Sequence, residues 1–325
     1  MTGSLIARLG VVVALAGVPL LQHNAYWLHV LSLTLIGVIL ALGLQLLAGM
    51  AGVLSLGQGA FYGIGAYTAA GLATGWRAPF LLTLLGGGLA AAAASLLLIP
   101  IVRLKGSSLA VATLGYAIII HLVMLNEDWL TGGSMGMMDI PPPVLFGFDV
   151  GGEAAFYFVC LSAAAVVYLA LDRIAGSRFG RALVAMSQDE EAARACGIAI
   201  GRYRSKCFLV AAFAAGIAGA LYAYHSRYLN PNDFTFQKSI DILIMVVIGG
   251  LRSLPGAALG AAIVVLVPEL LRSSGEFRLI LFGGLVVVLM GAGNRGLAGI
   301  TADAGARVRA LWQARASRGA PAAGG

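Results

Sequence analysis

The sequence predicts an all-α polytopic membrane protein with about ten transmembrane helices, some short or broken, and both chain ends on the cytoplasmic side. Three observations predict it: an apolar composition, apolar runs of bilayer length, and an uneven spread of Lys and Arg. Hydrophobic residues make up 60% of the 325 positions and charged residues 11%, with a mean hydropathy of +0.92. A soluble domain carries about a quarter charged residues, so a large soluble domain is excluded. The net charge of +7 does not point to nucleic acid as a partner. Most basic residues sit in short stretches at span ends, where they face the headgroups of membrane lipid and set orientation.

A helix rising 1.5 Å per residue needs roughly 20 residues to cross about 30 Å of hydrocarbon. Apolar runs between turn signals fall at 5–21, 28–48, 53–73, 79–102, 109–125, 154–171, 208–224, 240–250, 255–271 and 279–290. The runs 240–250 and 279–290 are short, which suits helices that extend into their flanks, tilt little, or are broken elements packed inside protein.

Placing the N-terminus inside puts sixteen basic residues on the cytoplasmic side: Arg8, Arg103, Lys105, the seven of 172–206, Arg252 and five tail arginines. The opposite side keeps five, Arg77, Arg227, Lys238, Arg272 and Arg278, and its longest loop, 126–153, has none. That asymmetry satisfies the positive-inside rule, and removing one span would throw every later loop across the bilayer. At the start, Arg8 followed by an apolar run and Ala14-Leu15-Ala16 also fits a cleaved secretory signal, which would leave nine spans. The division expected is a membrane domain over 1–291, containing the cytoplasmic loop 172–206 and the periplasmic loop 126–153, and a mobile cytoplasmic tail over 292–325. Cys160, Cys196 and Cys207 have no metal-ligand spacing and are expected to stay reduced.

Inside the loop 172–206, the run Glu191-Ala192-Ala193-Arg194-Ala195-Cys196-Gly197 reads as a helix rich in alanine and charge, stopped by glycine. Hung between spans, it suits docking against a soluble partner better than chemistry. The third run carries Gly52, Gly57, Gly59, Gly63 and Gly65 with Ser55, Gln58 and Tyr67. Gly59-x-x-x-Gly63 is a close-packing signature, and Gln58 needs a partner or a watery path in lipid. Tight packing and a translocation pathway both fit. Ser253 to Gly260, SLPGAALG, shares a pattern with Ser55 to Gly63, SLGQGAFYG, which hints at an internal repeat of the kind found in transporters; a chain with 45 glycines also produces such matches by chance.

Span centres hold almost no ionisable residue: Asp241 and Glu269 lie near span ends, and His121 is central. A proton relay ordinarily needs more. No phosphate-binding loop surrounds Lys105, Lys206 or Lys238, so ATP is not bound by this chain in that way, and no catalytic or metal cluster appears. The loop 126–153 contains Thr131-Gly132-Gly133-Ser134 and Pro141-Pro142-Pro143. Either it is a plain loop stiffened by proline or it receives a soluble partner, with Thr131, Gly132 and Gly133 as candidate docking residues.

The strings LGLQLLAGMAGVLSLGQGAFYGIGAYTAA, LTGGSMGMMDIPPP, SRFGRALVAMSQDEEAARACGI and IDILIMVVIGGLRSLPGAALGA, in that order, resemble the permease subunits of branched-chain amino acid ABC transporters, and the LivM-type subunit more than its shorter companion. The likeness runs over about 28–272. It implies a bacterial inner-membrane permease that pairs with a second, related permease, two cytoplasmic ABC ATPases that carry the ATP and Mg, and a periplasmic substrate-binding protein. It further implies that Gln188, Asp189, Glu190, Glu191, Ala192, Ala193 and Gly197 form a coupling helix for the ATPases, and that Gln45, Ser55, Gln58 and Tyr67 lie on the solute path. The chain departs from the family pattern where the I-x-L-P ending of the coupling motif is missing, at Met135 where an acidic residue is usual, and at Gln45 and Gln58, which often read Asn and His. Relatives import leucine, isoleucine and valine, and similar permeases serve urea, short amides or aromatic acids. An autonomous secondary carrier built from inverted repeats is the competing class.

Overall fold

The computed structural model describes residues 24–291 other than 105, 146, 275 and 276, together with Gly17 and Pro19. The tail 292–325, the Ala14–Ala16 site and nearly all of the first expected span, 5–21, lie outside the described residues. The described chain is helical almost throughout. Its helices are α1 (Ala25–Gln45), α2 (Gln58–Gly75), α3 (Phe80–Ser95), α4 (Ser107–Asn126), the single turn α5 (Asp128–Thr131), α6 (Glu153–Gly176), α7 (Arg178–Gln188), α8 (Glu190–Ala195), α9 (Ile200–Ser226), α10 (Phe236–Gly249), α11 (Leu254–Leu270) and α12 (Phe277–Gly291). An unpredicted two-stranded ribbon, β1 (Val144–Leu145) with β2 (Phe148–Asp149), follows the triple proline and turns at Gly147, whose φ is 86°.

Each expected apolar run after the first coincides with a helix, and among the described residues five helical stretches are long and apolar enough to cross a bilayer: Ala25–Met50, Phe80–Leu98, Ser107–Asn126, Glu153–Gly176 and Ile200–Ser226. The differences from expectation have local causes. α1 continues into a wider π turn, Leu46–Met50, and the chain then leaves the helical path until Gln58, so the third run is helical only from its sixth residue. α3 stops at Ser95 and gives way to two short tight turns on either side of Pro100. A proline there removes a donor and crowds the carbonyl four residues back, so the α-helix cannot run on to Val102.

Burial divides the long helices into two classes. The most apolar stretches of α1 and α9 are 83% and 78% buried, against 39%, 33% and 28% for α3, α6 and α4, so α1 and α9 form the centre and the others face outward. Helices in lipid gain little from hiding apolar surface and associate through close packing. Here glycine makes the approach: a Cβ on Gly65 of α2 would strike the backbone of Gly216 in α9, and one on Gly216 would strike Gly87 and Gly88 of α3. Gly43 of α1 lies against Ala211 and Ala214 of α9 in the same manner. At the other side of the bundle, Gly249 of α10 meets the Gly256 carbonyl of α11, and Gly260 meets that of Met245. The expected Gly59-x-x-x-Gly63 pair is a packing site too: a Cβ on Gly59 would meet Thr235 and Ser239 at the start of α10, and one on Gly63 would meet Met124 of α4 and Phe234.

A single added methyl separates these positions. Gly65→Ala is expected to destabilise the detergent-solubilised protein by about 1–3 kcal/mol through overpacking, while Gly71→Ala, whose Cβ would meet nothing within 4 Å, leaves the melting temperature unchanged or slightly raised. Equal melting curves for the two variants would remove the α2–α9 crossing as a determinant of the fold.

Candidate functional site

The charged segment between α6 and α9 is two helices. Ser177 starts α7 by accepting from the N–H groups of Phe179 (3.1 Å) and Gly180 (3.4 Å). α7 buries Gly180, Ala182, Leu183 and Met186 on one face and leaves Arg178, Arg181 and Gln188 outside. Its end is joined to the inner bundle where Arg252 of the α10–α11 turn donates to the Ser187 hydroxyl at 3.4 Å.

α8 is the predicted short helix, and both of its ends are closed. Asp189 caps it, one carboxylate oxygen accepting from the N–H groups of Glu191 (2.8 Å) and Ala192 (3.1 Å). Glu190 and Glu191 in the first turn add negative charge where the helix dipole favours it. At the other end Gly197 takes a left-handed φ of 80°, its N–H bonds the Arg194 carbonyl at 2.9 Å, and the Ile198 N–H reaches back to Ala193 at 3.0 Å. That pair of bonds is a Schellman closure, which requires the left-handed residue that glycine supplies. Ala193 faces inward at 4% exposure, whereas Glu191, Ala192, Ala195, Cys196 and Gly197 are exposed.

Glu190 does not share that outward face. Its carboxylate is bonded by the guanidinium of Arg204, a residue of α9 that is only 7% exposed, and Arg194 lies 3.7 Å from its other oxygen. The three acidic residues grouped by the sequence therefore differ: Asp189 holds the helix start, Glu190 is engaged within the chain, and Glu191 points away from it. Arg204 was missed in the sequence, where it looks like one more loop cation among seven.

The four interior residues separate in a similar way. Gln45, 1% exposed, lies at the α10–α11 turn with its amide oxygen accepting from the N–H groups of Arg252 (2.6 Å) and Ser253 (2.8 Å). Ser55 accepts from the Gly57 N–H at 3.3 Å. Both are tied into the backbone. Gln58 and Tyr67 are buried as well, yet among the described residues neither amide atom of Gln58 and not the Tyr67 hydroxyl has a hydrogen-bond partner. Two hydroxyls the sequence did not flag complete the region: Thr113 of α4 accepts from the Leu56 N–H at 3.0 Å, and Ser239 of α10 accepts from the Gly59 N–H at 2.8 Å.

At the opposite end of the bundle, the loop 126–153 is pinned to the segment after α9. Met137 and Leu229 exchange backbone bonds of 3.0 and 2.9 Å, and Arg227 donates to the Gly151 carbonyl at 3.1 Å. Thr131 is 2% exposed, its hydroxyl lying 2.7 Å from the Met124 carbonyl and 2.8 Å from that of Glu127. Gly132 and Gly133 turn the chain with φ of 74° and 55°, and a Cβ on Gly133 would strike Asp128. These three residues shape the loop, while its most exposed large apolar side chains are Trp129, Met135 and Phe148. A groove of about 940 Å³ is lined by Arg77 and Phe80 together with Met138, Asp139 and the three prolines of the loop. The three cysteines are free thiols, and among the described residues no group of three or more His, Cys, Asp or Glu is placed to hold a metal ion.

Residues 26–290 match the family described as branched-chain amino acid transport system / permease component, and the chain belongs to that family. It is 36% identical over 283 residues to the high-affinity branched-chain amino acid transport system permease protein LivM of Escherichia coli, an alignment covering 80% of this chain and 67% of that protein. A probable LivM permease of Methanocaldococcus jannaschii is 30% identical over 181 residues, covering 54% of this chain and 51% of its own. The corresponding LivH protein of Escherichia coli is 28% identical over 278 residues, covering 78% and 88%. No solved structure matches the chain. Its relatives are transport permeases rather than enzymes, and the chain is a multi-pass membrane protein with them.

The two closures of α8 have separable effects. Asp189→Ala removes a cap worth about 1 kcal/mol, and Gly197→Ala, whose Cβ would meet nothing within 4 Å, costs about 1–2 kcal/mol through its left-handed backbone alone. Each is expected to speed amide exchange in α8 by roughly fivefold or more, read by hydrogen-exchange mass spectrometry. Unchanged exchange in both variants would mean that packing, and not capping, holds the helix.

Proposed function

We propose that this chain is the pore-forming permease subunit of an ATP-driven importer for branched-chain or related amino acids in the bacterial inner membrane. It makes ten crossings with both ends inside, pairs with a second related permease, receives solute from a periplasmic binding protein at the 126–153 end, and is driven by two cytoplasmic ABC ATPases that hold the ATP and Mg. The observation that carries this reading is α8: a six-residue helix, closed at both ends by its own residues and exposing Glu191, Ala192 and Gly197 at the strongly basic end of the bundle. A helix this short has no stability of its own, so its maintenance argues for use as a docking element. ATPase closure and opening would move α8 and so exchange the outward and inward states of the path.

Gln58 and Tyr67 are the interior residues that best fit the solute path, because buried polar groups without a protein partner suit a place where a polar solute or water passes. Gln45 and Ser55 would act by fixing the backbone beside it. The two related segments also correspond in use: Ser55 accepts from an N–H just ahead of α2, and Ser253 accepts from the Gly256 N–H at the start of α11, which supports a repeat. A secondary carrier would also employ broken helices, but it leaves α8 without a role.

In the assembled transporter, Glu191→Lys is expected to lower both uptake and solute-stimulated ATP hydrolysis at least tenfold while the subunits still co-purify. Glu191→Gln is expected to have a much smaller effect, since an exposed ion pair contributes about 0–1 kcal/mol. If Glu191→Lys leaves uptake and ATPase stimulation intact in a normally assembled complex, α8 is not the coupling element.

A further inference from the structure

The charge pair behind α8 has no place in docking, since it is turned away from the exposed face. Glu190 sits in the first turn of α8 with its side chain 20% exposed, and Arg204 sits one turn into α9 with its side chain 8% exposed. An arginine this deep is held by its bonded carboxylate, because an unpaired buried charge is strongly unfavourable. By contrast, Arg194, at 56% exposure, is an ordinary surface partner for the same carboxylate.

The mechanical setting gives the pair its meaning. α8 is joined to α9 by the short connection Cys196–Ala199, which includes the left-handed Gly197. At its other end α8 is continuous with α7 through Asp189, so without a further tie the start of α8 follows α7 and only its end follows α9. Glu190 with Arg204 supplies that tie and joins the start of α8 to α9 as well. α9 in turn is the long buried helix that α1, α2 and α3 pack upon through Gly43, Gly65 and Gly87.

Building on the coupling role of α8, we propose that the Glu190–Arg204 pair is a strut that makes α8 and the first turns of α9 move as one body. Glu190 and Arg204 are positioning residues; their task is to pass displacement from the docking face into the bundle, and neither touches solute or nucleotide.

The test replaces the ion pair with a covalent link. Glu190→Cys and Arg204→Cys are introduced together with Cys196→Ser, so that no exposed native thiol competes; Cys160 and Cys207 are buried. Removing both charges at once leaves neither stranded, which preserves folding better than either single change. In the complete transporter, reconstituted with its ATPases and binding protein, the open dithiol form is expected to import about tenfold less solute per ATP hydrolysed. Bridging the two cysteines with a short bifunctional thiol reagent should restore the ratio, and reductant should reverse the restoration. The charge exchange Glu190→Arg with Arg204→Glu is expected to recover at least part of the ratio as well.

A merely structural pair would lower the yield of complex and leave transport per ATP unchanged in what assembles. That result, or a bridged form that stays uncoupled, overturns the strut. Glu191→Lys is measured alongside. If it uncouples while the cysteine pair does not, the strut alone fails; if Glu191→Lys has no effect, the coupling role of α8 fails first.

Discussion

A backbone N–H inside hydrocarbon has no water to bond, and leaving it unpaired costs several kcal/mol, so a chain that leaves the helical path in a membrane must find other acceptors. This chain does so between Met50 and Gln58. Ala51, Val53, Ser55 and Gly57 are buried in alternation with more exposed neighbours, and among the described residues no strand lies alongside to pair with them. Side-chain hydroxyls act as acceptors instead, one from the segment itself and two from distant helices. Thr113 takes the Leu56 N–H, Ser55 that of Gly57, and Ser239 that of Gly59. Gln45 performs the same service for the α10–α11 turn by accepting from Arg252 and Ser253. Three of these side chains, Thr113, Ser239 and Gln45, thus fasten α1, α2, α4, α10 and α11 to one another, and Ser55 fixes the break locally. The fold depends on them because they allow the break that separates α1 from α2.

Close packing completes what those bonds begin. Where Gly65 meets Gly216 and Gly216 meets Gly87, backbones approach nearer than any larger side chain permits, and dispersion between them replaces the hydrophobic drive that lipid withholds. Both contacts of that crossing are made by α9, which also runs beside α1 and carries Arg204 near its start. The consequence is a geometry in which one helix both organises the interior and reaches the charged end. From that end inward α9 is one continuous helix packed on α1, α2 and α3.

Much of this was legible in the sequence, for identifiable reasons. Apolar runs gave the helices because lipid-facing and buried helices alike lack polar interruption. The short helix α8 was readable because its signals are local: a run rich in alanine and charge and a glycine in the stopping position. The two-stranded ribbon was not, since two-residue strands have no periodicity to detect. Pairings across long separations were hidden as well. Nothing in the sequence near Thr113 or Ser239 distinguishes an acceptor for a distant N–H from a hydroxyl bonded to its own helix, as Ser32 and Thr34 are. The same limit concealed the division of labour among Asp189, Glu190 and Glu191. Three adjacent carboxylates read as one acidic patch until the position of Arg204, fourteen residues on, turns the middle one inward.

That division bears on the docking role proposed for α8. Exposed ion pairs contribute little because water and salt already satisfy the charges, so an interface made by Glu191 alone would be weak and easily deformed. Binding improves when the docking element is ordered beforehand, because the entropy of ordering is not lost on contact. α8 is ordered in three independent ways, by the Asp189 cap, by the Gly197 closure and by burial of Ala193 against the bundle. Its outer face is therefore presented in fixed shape. A partner fitted to that shape meets a surface backed by the bundle, and small displacements of the partner are not absorbed by bending of the helix. Rigidity at the contact and close packing behind it are the same requirement met at two scales.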